Sequence, residues 1–209
     1  WQGRFRYQAS ERAAILMDPV EKAAHVLMHD GIVIYPTDTI YGLGGDAFSD
    51  EAILKVYEAK KRPLSQPVSI AVCDCDMIHG VAKINEYAAT FIDHFLPGPV
   101  TVILPARNSV PPILTGGTGK LGIRLPNHPL ALRLISLVGS PITATSANMS
   151  GGRDPLTPLE CHVAHDYLLD GGILPGTPST VVDIGERRIL RPGALVGEVV
   201  SYLSKGEGT

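Results

Sequence analysis

Apolar positions along the chain alternate between two patterns. Short continuous runs, Ile32 to Tyr35, Pro67 to Val72, Val100 to Leu104, Leu121 to Leu125 and Pro141 to Thr145, read as strands buried on both faces. Between them lie stretches with helical spacing. Asp18-Pro19-Val20-Glu21 combines a cap, a first-turn proline and an N3 glutamate ahead of Ala23, Ala24, Val26, Leu27 and Met28, which predicts a helix stopped by Gly31. Asp50 is expected to cap a second helix, with Ile53, Leu54, Val56 and Tyr57 on one face, running into Lys60, Lys61, Arg62 and Pro63. Further helices are predicted over Ile84 to Leu96, from Pro129 to Val138, from the Thr157-Pro158-Leu159-Glu160 start, and over Val196 to Leu203. Thr180 to Ile184 and Arg188 to Leu190, joined through a Gly-Glu turn, read as a hairpin, so the expected fold is α/β with a mixed sheet.

The stretch 31 to 45, GIVIYPTDTIYGLGG, stands apart. Its apolar run breaks at Pro36 and delivers Thr37, Asp38 and Thr39 to the end of a strand, where ligands bind in open α/β sheets. Gly42, Gly44 and Gly45 would let backbone approach a ligand without an intervening Cβ, although a turn would use glycine in the same way.

With 209 residues, 44% of them hydrophobic, the chain can bury one substantial core, and a single domain over 1–209, with a motif-bearing core at 18–200, is expected. A net charge of -3 argues against a general polyanion-binding surface, so contact with nucleic acid would be weak and local. Three cysteines form no disulfide framework, which fits a reducing, cytoplasmic setting. Neither Cys73-Asp74-Cys75 with His79 nor Cys161-His162 with His165 has paired C-x-x-C spacing, so no metal site is expected. No apolar run is long enough to span a bilayer, and no membrane association is expected.

Three cationic positions share a local pattern. Lys60-Lys61-Arg62-Pro63, Ile123-Arg124-Leu125-Pro126 and Leu190-Arg191-Pro192-Gly193 each put a base beside a proline at the end of an apolar element. Such arginines suit two-point capture of carboxylate or phosphate, and lysine a point contact, although unrelated surface ion pairs would look alike. Hydroxyl and amide groups collect at other element ends: Thr37, Thr39, Thr145, Ser146, Asn148, Ser179 and Thr180. Without a nearby His-Asp pair or a G-x-S-x-G elbow they do not make a nucleophilic hydrolase, and serve better to hydrogen-bond a polar substrate. Thr118-Gly119-Lys120 ends like a P-loop, but Leu114 and Leu121 break the pattern. Gly42-x-Gly44-x-x-Ala47 fits a loose dinucleotide fingerprint, but Lys60 to Arg62 occupy the place of the ribose-binding acid.

PTDTIYGLG, Lys60-x-Arg62-Pro63, PGPVTVIL, GIRLP followed by HP, TSAN, STVVD and LRPG occur in this order, and together they resemble the YrdC-like family of threonylcarbamoyl-AMP synthases. The resemblance implies a YrdC-like twisted open mixed sheet with flanking helices around a central concave basic cavity. It implies formation of threonylcarbamoyl-AMP and pyrophosphate from L-threonine, bicarbonate and ATP, with Mg²⁺. The product would feed downstream tRNA threonylcarbamoyl transferase machinery. Lys60, Arg62, Ser146, Asn148 and Arg191 match the family's nucleotide contacts, Lys60 and Arg62 being the catalytic pair. Thr37, Ser69, Arg124, Ala144 and Ser179 match the threonine side, where Arg124 would take the carboxylate. The chain departs from many relatives in carrying Gly176-Thr177-Pro178 where they have a glutamate, and in lacking a histidine within Pro67 to Val72. It ends soon after LRPG, so the carboxy-terminal domain of longer members is expected to be absent, and a lid to come from the amino end or residues 105–120. The alternative is an RNA-binding module or non-catalytic subunit using the same cavity, against which the net charge weighs.

Overall fold

The computed structural model describes residues 17–205. Nine strands form one mixed sheet: β1 (Val33–Tyr35), β2 (Gly42–Gly44), β3 (Ser69–Ala71), β4 (Val100–Pro105), β5 (Lys120–Arg124), β6 (Ile142–Ser146), β7 (Tyr167–Leu168), β8 (Thr180–Asp183) and β9 (Arg188–Arg191). Their spatial order is β7-β1-β2-β6-β3-β5-β4-β8-β9. The β1/β7, β3/β5 and β4/β8 pairs are parallel and the others antiparallel.

Helix α1 (Pro19–Leu27) starts where the sequence predicts, through a capping box in which the Asp18 carboxylate accepts from Val20 and Glu21 while the Glu21 side chain accepts from the Asp18 amide. The cap of α2 (Asp50–Lys60) is Ser49 rather than Asp50, because the serine hydroxyl takes the Ala52 amide and the aspartate falls in the first turn. α3 (Cys75–Val81), capped by Asp74, has no forerunner in the sequence reading: it buries only Ile78 and Val81, too few for a periodic signal. α4 (Glu86–Phe95) and α5 (Pro129–Val138) follow prediction, the latter ending at Gly139 in the left-handed conformation. The helix expected from Thr157 is a single 3-10 turn, Pro158–Glu160. Thr157 makes no side-chain cap, and the Glu160 carboxylate accepts from Leu156 instead. α6 (Val196–Lys205) closes the fold, burying Val199.

The continuous run that forms β1 is buried on both faces. Val33 and Tyr35 join α1 and α5 in one cluster, and Ile32 and Ile34 join Leu43, Val56 and Val163 in another. The glycines that follow also make room inside the fold. Tyr35 lies across β2, so that a Cβ on Gly42 would come within 3.1 Å of the ring and one on Gly44 within 2.9 Å, while Gly45 makes room for Ala52 of α2. The missing side chains admit an aromatic ring, whose hydroxyl donates to the Thr143 carbonyl at 3.2 Å. Gly44→Ala is therefore expected to lower stability by about 1–3 kcal/mol, the usual range for overpacking, visible as a lower urea midpoint with unchanged slope.

Candidate active site

Eight of the nine strands contribute to one cavity of about 230 Å³; β7 alone does not. The sequence placed the chemistry beyond strand ends, but the site spans the face of the sheet. Tyr35 and Gly42 border it on one side, Ala144, Thr145 and Ser146 of β6 and Ser69 of β3 lie in the middle, and Arg124, Thr101, Val181 and Arg191 continue across β5, β4, β8 and β9. Lys60 and Arg62 enter from the end of α2. The lining holds four cationic side chains and, among the described residues, no carboxylate.

Lys60 is the most deeply buried of this set, 1% exposed. Its ammonium donates to the Ser146 carbonyl at 2.5 Å, the Asn148 carbonyl at 2.7 Å and Asn148 Oδ1 at 3.2 Å. Burial, and then the positive charge of Arg62, bring its pKa down to about 8, so it remains charged at neutral pH, with three hydrogens for three acceptors. Arg62 lies nearer solvent, and its Nη2 donates to the Pro67 carbonyl at 2.8 Å.

Arg124 donates from Nη2 to Asp38 Oδ1 at 2.5 Å and to Thr39 Oγ1 at 3.1 Å. Thr37, which leads into this turn, is committed to the backbone: its hydroxyl donates to the Ile40 carbonyl and accepts the Thr39 and Ile40 amides. At the other end Arg191 donates from Nη2 to the Ser179 carbonyl at 2.8 Å and to its hydroxyl at 3.0 Å, and that hydroxyl lies 2.9 Å from Thr101 Oγ1. Gly122 leaves room for Ser69, whose Oγ would be 2.2 Å from an added Cβ.

Lys60, Arg62, Ser146, Arg191, Thr37, Ser69, Arg124, Ala144 and Ser179 thus all line the cavity, as they would for one shared site. Asn148 does not. It borders a neighbouring surface depression with Arg153, Asp154 and Glu160, and its side-chain amide is already engaged, its oxygen accepting from Ser146 Oγ at 2.6 Å and Lys60 Nζ at 3.2 Å and its nitrogen donating to the Gly152 carbonyl at 2.7 Å. Residues 105–120 contribute nothing to the lining. Their 3-10 turn, Pro112–Thr115, packs beside Val68, whose amide donates to the Leu114 carbonyl. Loop residues that do border the cavity include Ser150 and Gly151 as well as Thr37, Thr39, Ile40 and Pro126; the amino end, the other segment expected to cover it, lies outside the described residues. Thr101 was missed, and its one signal is a lone hydroxyl inside the buried run Val100 to Leu104.

The sequence profile of the Sua5, YciO and YrdC proteins, described as telomere recombination, matches residues 25–193. The chain belongs to the Sua5/YciO/YrdC family. Among its curated relatives, a threonylcarbamoyl-AMP synthase of Pyrococcus abyssi is 39% identical over 183 residues, 83% of this chain and 53% of the relative. One of Bacillus subtilis is 40% identical over 197 residues, 88% and 56%. A putative threonylcarbamoyl-AMP synthase of Methanocaldococcus jannaschii is 38% identical, covering 78% of this chain and 79% of the relative. The chain spans about half the length of the first two. Among solved structures, P. abyssi Sua5 complexed with L-threonine superposes with a TM-score of 0.83 at 36% identity, over 88% of this chain and 56% of that one. Escherichia coli YciO, at 22% identity and a TM-score of 0.75, shares the fold. Within the Sua5/YciO/YrdC fold, the ordered motifs of the sequence are the segments that meet at the cavity: TSAN supplies Ser146, STVVD supplies Ser179, and LRPG supplies Arg191.

Proposed function

We propose that this chain is an L-threonylcarbamoyladenylate synthase unit, with residues 18–200 forming one catalytic domain that joins L-threonine, bicarbonate and ATP into threonylcarbamoyl-AMP and pyrophosphate. The observation that carries this reading is a single cavity that gathers Arg124 and its hydroxyl neighbours with three further cations, Lys60, Arg62 and Arg191, in a fold whose relative binds L-threonine. Arg124 takes the threonine carboxylate, while Ser69, Ala144, Ser179 and the Thr37 turn shape that end. Arg62, Arg191 and Ser146 hold the phosphates, with Lys60 and Asn148 fixing the loop that presents Ser146.

Chemically, the threonine nitrogen bonds to the bicarbonate carbon with loss of water to give N-carboxythreonine, whose carbamate oxygen then bonds to the α-phosphorus as the bond to pyrophosphate breaks, the electron pair leaving with the pyrophosphate. This needs neutralised phosphates and aligned reactants but no protein nucleophile, which matches a lining of cations and hydroxyls. Among the described residues no group of three or more His, Cys, Asp or Glu could hold a metal, so Mg²⁺ would arrive on the ATP phosphates, completed by water. The product is a reactive mixed anhydride, to be consumed by a transferase that moves the threonylcarbamoyl group to tRNA. An RNA-binding module is less well served, because the cations converge on one cavity instead of spreading over a surface.

Pyrophosphate release from ATP is expected to require both threonine and bicarbonate and to proceed without tRNA. Omitting each component in turn tests this. Release that needs tRNA, or that runs equally well without threonine, would sink the proposal.

A further inference from the structure

Arginine and a carboxylate commonly meet through two parallel hydrogen bonds. Asp38 and Arg124 make only one, between Nη2 and Oδ1, and Thr39 Oγ1 takes a second bond from the same nitrogen. Both side chains are largely buried, 13% and 10% exposed. Among the described residues, Asp38 Oδ2 and Arg124 Nε are buried without any hydrogen-bond partner. Polar groups removed from water in this way are costly unless something completes them. Arg124 and Thr39 line the cavity while Asp38 stands behind them, outside the lining and near the buried, unpartnered Nδ1 of His128, so the two orphans of the ion pair point to a ligand that draws the Asp38 carboxylate toward the cavity and completes both.

What remains on offer is one cationic donor and one anionic acceptor. Their complement is a molecule carrying an anionic acceptor and a cationic donor a few bonds apart, which describes the zwitterion of an α-amino acid. We infer that Asp38 is a specificity-determining residue whose Oδ2 accepts a hydrogen bond from the α-ammonium group of the amino-acid substrate while Arg124 takes its carboxylate. This rests on the assignment of Arg124 to the carboxylate under the proposed function. The charge on Oδ2 favours the ammonium over a side-chain hydroxyl, since hydrogen bonds between ionised partners are the stronger ones and a desolvated carboxylate gains most from a cation. Four charges of alternating sign then sit together with no net charge, so neither Asp38 nor Arg124 is left unbalanced once the ligand is bound. The nitrogen that must carry the carboxy group is held in place by the same contact.

Asp38→Asn tests this with little steric change. The amide oxygen can still accept from Arg124 Nη2, while the position of Oδ2 becomes a donor that opposes an ammonium. Calorimetric titration of wild type and variant with L-threonine, 2-aminobutanoate (no hydroxyl), 3-hydroxybutanoate (no amine) and ATP gives the readout. Affinity for threonine and for 2-aminobutanoate is expected to fall tenfold or more, with 3-hydroxybutanoate and ATP within twofold of wild type. Asp38→Glu, which keeps an anion beside Arg124 but moves it by one methylene, is the second variant and is expected to lose threonine affinity in the same direction with ATP unchanged. Unchanged threonine affinity in both variants overturns the inference. So does loss for threonine with 2-aminobutanoate spared, which would assign Oδ2 to the hydroxyl, and so does equal loss for all ligands, which would make Asp38 structural. Wild-type protein that binds neither threonine nor 2-aminobutanoate overturns the functional proposal as well, so the two failures are distinguishable.

Discussion

Lys60→Ala is expected to cost both stability and nucleotide affinity, whereas its neighbour Arg62 governs affinity alone. The Ser146 and Asn148 carbonyls lose the lysine donor, Asn148 Oδ1 keeps only its bond from Ser146 Oγ, and a buried side-chain stem is replaced by space. Each abandoned acceptor costs about 1–3 kcal/mol, but removal of an ammonium whose pKa burial has pushed down to about 8 returns part of that sum. A net loss of about 2–3 kcal/mol remains by this reckoning, read as a lower denaturant midpoint. ATP affinity is expected to fall at least tenfold, about 1.4 kcal/mol, because the loop presenting Ser146 has lost its tether. Lys60→Met, which restores the stem without the donor, should recover part of the stability and none of the affinity. Arg62→Ala should hold stability within about 1 kcal/mol, since its Nη2 contact to Pro67 lies near solvent, and still weaken ATP. If Lys60→Ala matched wild type in midpoint and ATP titration, the tether would have no role.

Arg124→Ala carries the second large effect. Leaving a substrate carboxylate without its charge partner in a partly desolvated pocket is expected to cost about 2–5 kcal/mol in threonine affinity, with ATP binding per folded molecule nearly unchanged. The structure adds a stability penalty, because the substitution also strands Asp38, which is 13% exposed and has Arg124 as its ion-pair partner. Arg124→Lys separates the two losses. A lysine ammonium can still neutralise Asp38 and restore most of the thermal midpoint, but it cannot reproduce planar two-point contact, so threonine affinity stays low. Melting curves alongside separate titrations of threonine and ATP decide this. Equal losses for both ligands, or none for threonine, would remove Arg124 from the amino-acid end.

What could be read from the sequence was whatever leaves a local chemical mark. The capping box at Asp18 and Glu21, and the proline and glycine that bracket Pro129–Val138, fix helix ends through residues adjacent to those ends. Seven of the nine cavity residues expected from the sequence, Thr37, Lys60, Arg62, Arg124, Ser146, Ser179 and Arg191, lie at element ends where polar groups interrupt apolar runs, whereas Ser69 and Ala144 sit within strands and are marked only by the family resemblance. What could not be read depends on distant partners. Asp38 and Arg124 are 86 positions apart, so nothing local reveals that one carboxylate will be half-paired to that arginine. β7, two residues long, exists because β1 offers it a partner in parallel. Lys60 carries the sequence signature of an exposed helix end, but the chain after Ser146 folds over it. Gly42 borders the cavity, but nothing local says that Tyr35 also packs against it and against Gly44.

That ring has a bearing on which sequences this fold can accept. Because Tyr35 occupies the volume that side chains at 42 and 44 would need, the three positions behave as one unit under substitution, and single-site effects there will not add. An alanine at 44 is harmful while the ring is present and less so once the ring is trimmed, when Ile142 Cδ1, 3.1 Å from the added Cβ, is the remaining close neighbour. Trimming the ring alone opens a void and forfeits the bond to Thr143. Drift at this corner of the cavity is therefore confined to paired changes, and a library that varies one position at a time will report all three as immutable.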